Sequence, residues 1–258
     1  MIKRRIFITA ALVTLGIFLV LYQFGQLRST TLGTLLDDDV TYVSLRFDDG
    51  WKSQLNAHEA LKKQDLTGSI YIISGFMGDE GYMDWSDVET VSETMEIGGH
   101  TVSHADLRNL ETMQDYEDEI GDDYRTLVDM GFDVRTFVYP YGNYSTVAIQ
   151  VLKKYYICAS TQDVGVNTRE TDLFLLRDFT IRSFNSLEDM ERKILPGTWT
   201  ILTFHDVGDP HPDANSAVKS NAVSVPFFND ILEWLKASDI QVITVAEGCE
   251  MMLKVQGK

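Results

Sequence analysis

The strongest constraint in this chain of 258 residues is an alternation. From residue 41 onward, short apolar, β-branched runs give way to stretches with helical spacing, and back again. Runs at 41–47, 68–73, 96–100, 136–139, 156–160, 200–205 and 241–245 read as strands. Helical spacing covers 51–63, 85–95 behind a cap at Asp84, 144–154, 186–194 and 226–236. The clearest helix is 110–130, with Met113, Tyr116, Ile120, Tyr124, Leu127 and Val128 on one face and Gly131 where a left-handed terminal residue belongs. Such alternation implies an α/β fold with a parallel sheet buried on both faces, either doubly wound or closed into a barrel. In both architectures chemistry collects at the C-terminal ends of the strands.

Ahead of this body stands a different kind of segment. Residues 6–22 are an unbroken run of apolar, Gly and Thr residues behind Lys3, Arg4 and Arg5. The run is longer than the apolar core of a signal peptide, and no small-residue cleavage pair follows it. The expectation is a cytoplasmic basic stub (1–5), a transmembrane anchor (6–22), a tether (23–40) and an extracytoplasmic catalytic domain (41–258), secreted if the segment is cleaved. Residues 1–30 carry four basic residues and no acidic one, leaving 18 basic against 39 acidic residues in the remainder. That balance excludes a nucleic-acid partner, which needs Lys and Arg against phosphate, and fits a neutral or cationic polymer. Cys158 and Cys249 are either a disulfide or two buried thiols.

Polar residues concentrate at strand ends. The first strand runs into Asp48-Asp49-Gly50, the third into His100 with His104 four residues on, the fourth into Tyr139-Pro140-Tyr141-Gly142, and the sixth into His205-Asp206. Taken singly each is an ordinary turn or a structural histidine. Jointly they mark one mouth of the fold. The spacing of His100 and His104 places both rings on one face of a helical turn, where they can share a cation. Adjacent strand-end residues point to opposite sides, so one of Asp48 and Asp49 joins the imidazoles and the other stays near as a base. One carboxylate and two imidazoles suit a catalytic zinc or a non-haem Fe(II) centre.

These residues resemble the polysaccharide deacetylase family, also called the NodB-homology domain or carbohydrate esterase family 4. The family's T-F-D-D-G looks like Arg46-Phe47-Asp48-Asp49-Gly50, with Arg in the Thr position. Its H-[ST]-x-x-H is matched by His100-Thr101-Val102-Ser103-His104, and its R-x-P-Y-G by Pro140-Tyr141-Gly142. Its L-x-H fits Phe204-His205, with Leu202 one place out of step. The resemblance runs over about 41–246. It implies a distorted (β/α) barrel of about seven parallel strands, here preceded by an N-terminal transmembrane helix. It further implies one divalent metal, commonly zinc, on Asp49, His100 and His104, with Asp48 as base, His205 as acid and the Tyr141 backbone N–H at the oxyanion. The arginine that orients the base in the family falls at Val138, so another must serve, and Arg177 is the candidate; the family's fourth motif is not found.

The activity implied is removal of N-acetyl groups from an N-acetylhexosamine-containing polysaccharide or cell-envelope glycan, with the membrane touched only through the N-terminal helix. An O-acetyl esterase on xylan-like polymers, a catalytically silent glycan-binding protein and an Fe(II) oxygenase are the rival readings. Tyr82 and Trp85 are candidates for a sugar-stacking platform.

Overall fold

The computed structural model describes residues 40–208 and 221–257. Within them the strands are β1 (Tyr42–Phe47), β2 (Gly68–Ile72), β3 (Met95–Gly99), β4 (Thr136–Val138), β5 (Cys158–Val164), β6 (Leu176–Thr180), β7 (Trp199–Phe204) and β8 (Gln241–Val242). The helices are α1 (Leu55–Gln64), α2 (Trp85–Val91), α3 (residues 113–129), α4 (Thr146–Leu152), α5 (Leu187–Glu191), α6 (Val225–Ala237) and α7 (Val245–Gln256). Neighbouring strands are parallel throughout. β1 to β7 pair in sequence order and β7 returns to β1, closing a seven-stranded barrel. β1 divides its free edge. Arg46 and Phe47 pair with β2, whereas Tyr42 and Val43 pair with β8. That division is the distortion of the barrel.

The expected barrel is therefore present with seven strands, but one member differs. Residues 241–245 are a two-residue outrigger, and the seventh barrel strand is β6, whose Leu-Arg-Asp-Phe-Thr has no readable alternation. The reason lies inside the barrel. Phe47 and Phe204 face outward and meet Phe228 of α6 at 5.8 and 5.2 Å between ring centres. The inward positions are largely polar: Ser44, Arg46, Asp48, Ser69, Thr136, Asp178 and Thr203 are all buried. A strand that buries Asp178 and exposes Arg177 defeats a pattern built on apolar burial.

Local signals account for most boundaries. Asp84, Ser145, Ser186, Ser224 and Thr244 each cap a helix through a side-chain oxygen. The helix at 113–129 forms as expected, with a five-residue π turn over Glu117–Gly121. Phe228, Ile231, Leu232 and Leu235 are buried as expected. α7 carries no counterpart in the sequence reading. Its N-terminus plugs the bottom of the barrel, where Val245 N–H donates to Ser69 and Ala246 N–H to Glu96, both at 2.8 Å. Cys158 and Cys249 are disulfide-bonded, tying β5 to α7. The expected stub, anchor and nearly all of the tether lie outside the described residues, as does much of the loop after His205. Among the described residues no helix is long and apolar enough to cross a membrane.

Candidate metal centre at the barrel mouth

β1 delivers Asp48 and Asp49 to the mouth, and a backbone reversal separates them. Asp49 (φ 80°) and Gly50 (φ 76°) are consecutive left-handed residues. A Cβ on Gly50 would also stand 3.1 Å from Met77 Cε and 3.3 Å from Ile72 Cδ1, so this turn requires glycine. Asp48 stays inside the barrel, 1% exposed, while Asp49 leans over the mouth.

His100 follows the last residue of β3. Its Nδ1 donates to the carbonyl of Val138 on β4 at 2.7 Å, because a carbonyl can only accept. That bond fixes the tautomer and leaves Nε2 directed at Asp49 Oδ1, 3.3 Å away. His104 Nε2 is 3.4 Å from the same oxygen. The rings do not converge by helical spacing, as the sequence suggested. Residues 101–104 are an irregular loop in which Thr101 (φ 68°) and His104 (φ 58°) are left-handed. Two reversals in four residues, rather than one helical turn, swing His104 back over Asp49.

The three ligand atoms lie within 4.8 Å of one another. Donors about 2.0–2.1 Å from a tetrahedral ion stand roughly 3.3–3.4 Å apart, matching both Asp49–imidazole separations. The donor set, its spacing and the tautomer of His100 fit a divalent cation. Burial by itself would raise the pKa of Asp49, but its hydrogen bond to His100 and the nearby imidazoles hold it well below the carboxylate range. Burial and the neighbouring His100 push His104 down to about 4, leaving its lone pair available at neutral pH. Burial opposes protonation of His100, yet Asp49, Asp48 and the Val138 carbonyl outweigh it and raise its pKa. Trp51 Nε1 donates to the other oxygen of Asp49 at 2.8 Å, which keeps Oδ1 toward the imidazoles.

The arginine beside Asp48 is Arg46, not Arg177. Arg46 is completely buried, and its Nη2 lies 2.9 Å from Asp48 Oδ2 and 3.1 Å from Asp178 Oδ2. Arg177 is exposed on the outer side of β6, one residue from Asp178, so alternation turns it away from the barrel interior. Asp48 Oδ1 is buried without a hydrogen-bond partner. His205 follows β7, and its Nδ1 is likewise buried without one. Gln54 joins these two residues: its Nε2 donates to the carbonyls of Asp48 (2.5 Å) and His205 (2.6 Å). Tyr141 (φ 59°) is 56% exposed, and its ring stands edge-on to His104 at 4.5 Å. Tyr82 stacks on Trp51 at 4.3 Å beside Asp49, whereas Trp85 packs against the core.

Sequence reasoning thus places Asp48, Asp49, His100, His104, Tyr141 and His205 at one mouth, and the structure brings them there. It misses Asp178, Gln54 and the contacts of Trp51 and Arg46. An arginine two residues before an aspartate on one strand is the available signal, since i and i+2 share a face.

The family model for polysaccharide deacetylase matches residues 37–158, bearing out the resemblance read from the motifs. A polysaccharide deacetylase from Bacillus cereus is 26% identical with a TM-score of 0.54; the match covers 59% of this chain and 51% of that one. A Streptococcus pyogenes deacetylase, solved in complex with acetate, is 23% identical with a TM-score of 0.56, covering 59% and 70%. The Xyl-CE4 domain of a multidomain xylanase from a Trinervitermes trinervoides hindgut metagenome is 18% identical with a TM-score of 0.58, covering 84% and 92%. The last two likenesses show the fold alone. The chain spans about half the length of the Bacillus chains it matches at 26–27% identity. No curated protein matches it.

Proposed function

Starting from the resemblance to polysaccharide deacetylases, we propose that this chain is a metal-dependent hydrolase removing N-acetyl groups from N-acetylhexosamine-containing polysaccharide or cell-envelope glycan. The observation that carries the reading is the approach of Asp49 Oδ1 to both imidazoles, 3.3 and 3.4 Å, with the second aspartate held apart by Arg46.

Asp49, His100 and His104 would hold the cation, zinc being the natural occupant of such a set. When bound it supplies electrophilic polarisation of a carbonyl oxygen and a lowered pKa for water. Asp48 takes the proton of the attacking water through the carboxylate oxygen that Arg46 leaves free. The oxyanion of the tetrahedral adduct accepts from the Tyr141 backbone N–H; one such donor contributes roughly 3 kcal/mol. His205 then protonates the departing nitrogen, without which an amine is a very poor leaving group. An acid in that place meets the requirement of an amide, and it serves an ester's departing alkoxide as well. Tyr82 and Trp51 beside Asp49 offer an aromatic face to a sugar ring, and the acidic surface attracts the amines produced.

Location outside the cytoplasm, behind an N-terminal anchor, belongs to the same proposal. The Cys158–Cys249 disulfide supports it, because such bonds persist in oxidising compartments. The test is acetate release from N-acetylated and O-acetylated oligosaccharides, with zinc and after chelation. Zinc-dependent release from the N-acetylated set is expected. Release from O-acetyl esters alone selects the esterase, and glycan binding without release selects the silent protein.

A further inference from the structure

In the family this chain resembles, the arginine that orients the base comes from the strand that here carries Val138. Phe137 and Tyr139 turn their rings outward onto Tyr156 and Tyr144, so Val138 between them faces the barrel interior without a charge. Arg46 occupies that interior from β1. Among the described residues it is the one Lys or Arg side chain within ion-pair distance of Asp48. We propose that Arg46 is the positioning residue of the base, moved from one strand to another, and that its single guanidinium serves the base and the acid together by way of Asp178 on β6. This rests on the deacetylase reading.

Three observations carry it. Arg46 and Asp48 are i and i+2 on one strand end, so the guanidinium runs up the inner face to meet the carboxylate from below. Burying an arginine costs several kcal/mol unless it is paired, and Arg46 is paired through one nitrogen to both Asp48 and Asp178, with Nη1 donating to the Thr161 carbonyl. Asp178 Oδ2 also accepts from Thr203, which lies two residues before His205 on β7 and on the same face. Asp178 Oδ1 and His205 Nδ1 are then left as two buried atoms without partners on neighbouring strands. Asp178 is held at one oxygen by Arg46, which leaves its other oxygen free to accept from the acid's imidazole in the working site.

The experiment compares wild type, Arg46→Thr and the transposed double variant Arg46→Thr/Val138→Arg. Each is measured for kcat and KM of acetate release, zinc content and unfolding midpoint. Arg46→Thr is expected to lower kcat roughly 100-fold with KM and zinc content little changed. The double variant is expected to recover at least about tenfold of that loss, because a guanidinium re-enters from β4. Arg46→Thr with kcat near wild type overturns the inference, as does a folded, zinc-loaded double variant no better than the single one. Should Arg46→Thr fail to fold, Arg46→Lys decides: one ammonium cannot serve both carboxylates in the same geometry, so unchanged kcat overturns the inference and a fall with zinc retained supports it. A wild type that releases no acetate removes the deacetylase reading and this inference with it, whereas an active wild type beside an equally active Arg46→Thr removes the inference alone.

Discussion

Glu96 and Asp48 are both carboxylates inside one barrel, the first near its bottom and the second at its mouth, and they are satisfied in different ways. Glu96 accepts from Ser69, Thr136 and the Ala246 N–H at the start of α7. Burial raises its pKa, and these neutral donors oppose the rise. Both oxygens are occupied, and the group staples β2, β3, β4 and α7 together. Asp48 has one oxygen on Arg46 and the other without a partner. A carboxylate saturated by neutral donors is a structural part. One held by a single guanidinium keeps a lone pair for a proton, at a cost in stability that the rest of the barrel offsets.

The widest separation between the two ends is expected from Asp48→Asn. It removes the proton acceptor and keeps the shape, so kcat should fall on the order of a thousandfold while zinc content stays at the wild-type level. Retained acetate release would put Asp48 in the same structural class as Glu96. At the bottom, Cys158→Ser/Cys249→Ser opens a loop closed over a separation of 91 residues. It should cost roughly 4 kcal/mol in urea unfolding and leave kcat of the folded protein alone.

Asp123 is buried behind His100 at the mouth end and sharpens the comparison through pH. It accepts from the His100 and Ser74 backbone N–H groups, and burial raises its pKa to about 7. The native state therefore keeps this proton to higher pH than the unfolded chain, and stability is lost as pH rises from about 4 to about 7. Relative to Asp123→Asn, the metal-free wild type should lose up to roughly 4 kcal/mol between about pH 4 and about pH 8; parallel pH profiles of the two proteins in urea would refute the protonated state. Trp51→Phe keeps the stack on Tyr82 and removes the donor to Asp49. Zinc affinity by titration calorimetry should weaken about 10-fold or more, with the unfolding midpoint of the metal-free protein little changed. The smallest effect is expected from Glu96→Gln, which leaves one donor facing an amide N–H. A loss of about 1–2 kcal/mol with kcat within about twofold would confirm the bottom carboxylate as structural, and a large fall in kcat would erase the distinction drawn between the two ends.

Most of the strand and helix order, the cap at Asp84 and the four polar strand ends are legible because each is written in a few adjacent residues. β6 is not, because its inward residue is Asp178 and the barrel interior is polar where a sequence pattern expects apolar burial. The 101–104 loop passes for a helical turn in the sequence, since equal spacing is compatible with two left-handed reversals. Arg177 stands in for Arg46 in a reading that has no strand to assign it to, and one residue of register decides which side of a sheet a charge occupies.

Residue types and their local spacing settled that this chain builds an α/β fold on a parallel sheet with aspartates and histidines at its strand ends, because strand alternation and strand-end position follow from nearest neighbours along the chain; closure into a barrel was implied by the family resemblance and not by spacing. Tertiary structure decided which oxygen of Asp49 faces both imidazoles, which arginine meets Asp48, and that Cys158 pairs with Cys249. Those outcomes depend on strands closing around a common axis, which brings together groups far apart in the chain, as with Arg46 and Asp178, and no local pattern encodes that distance.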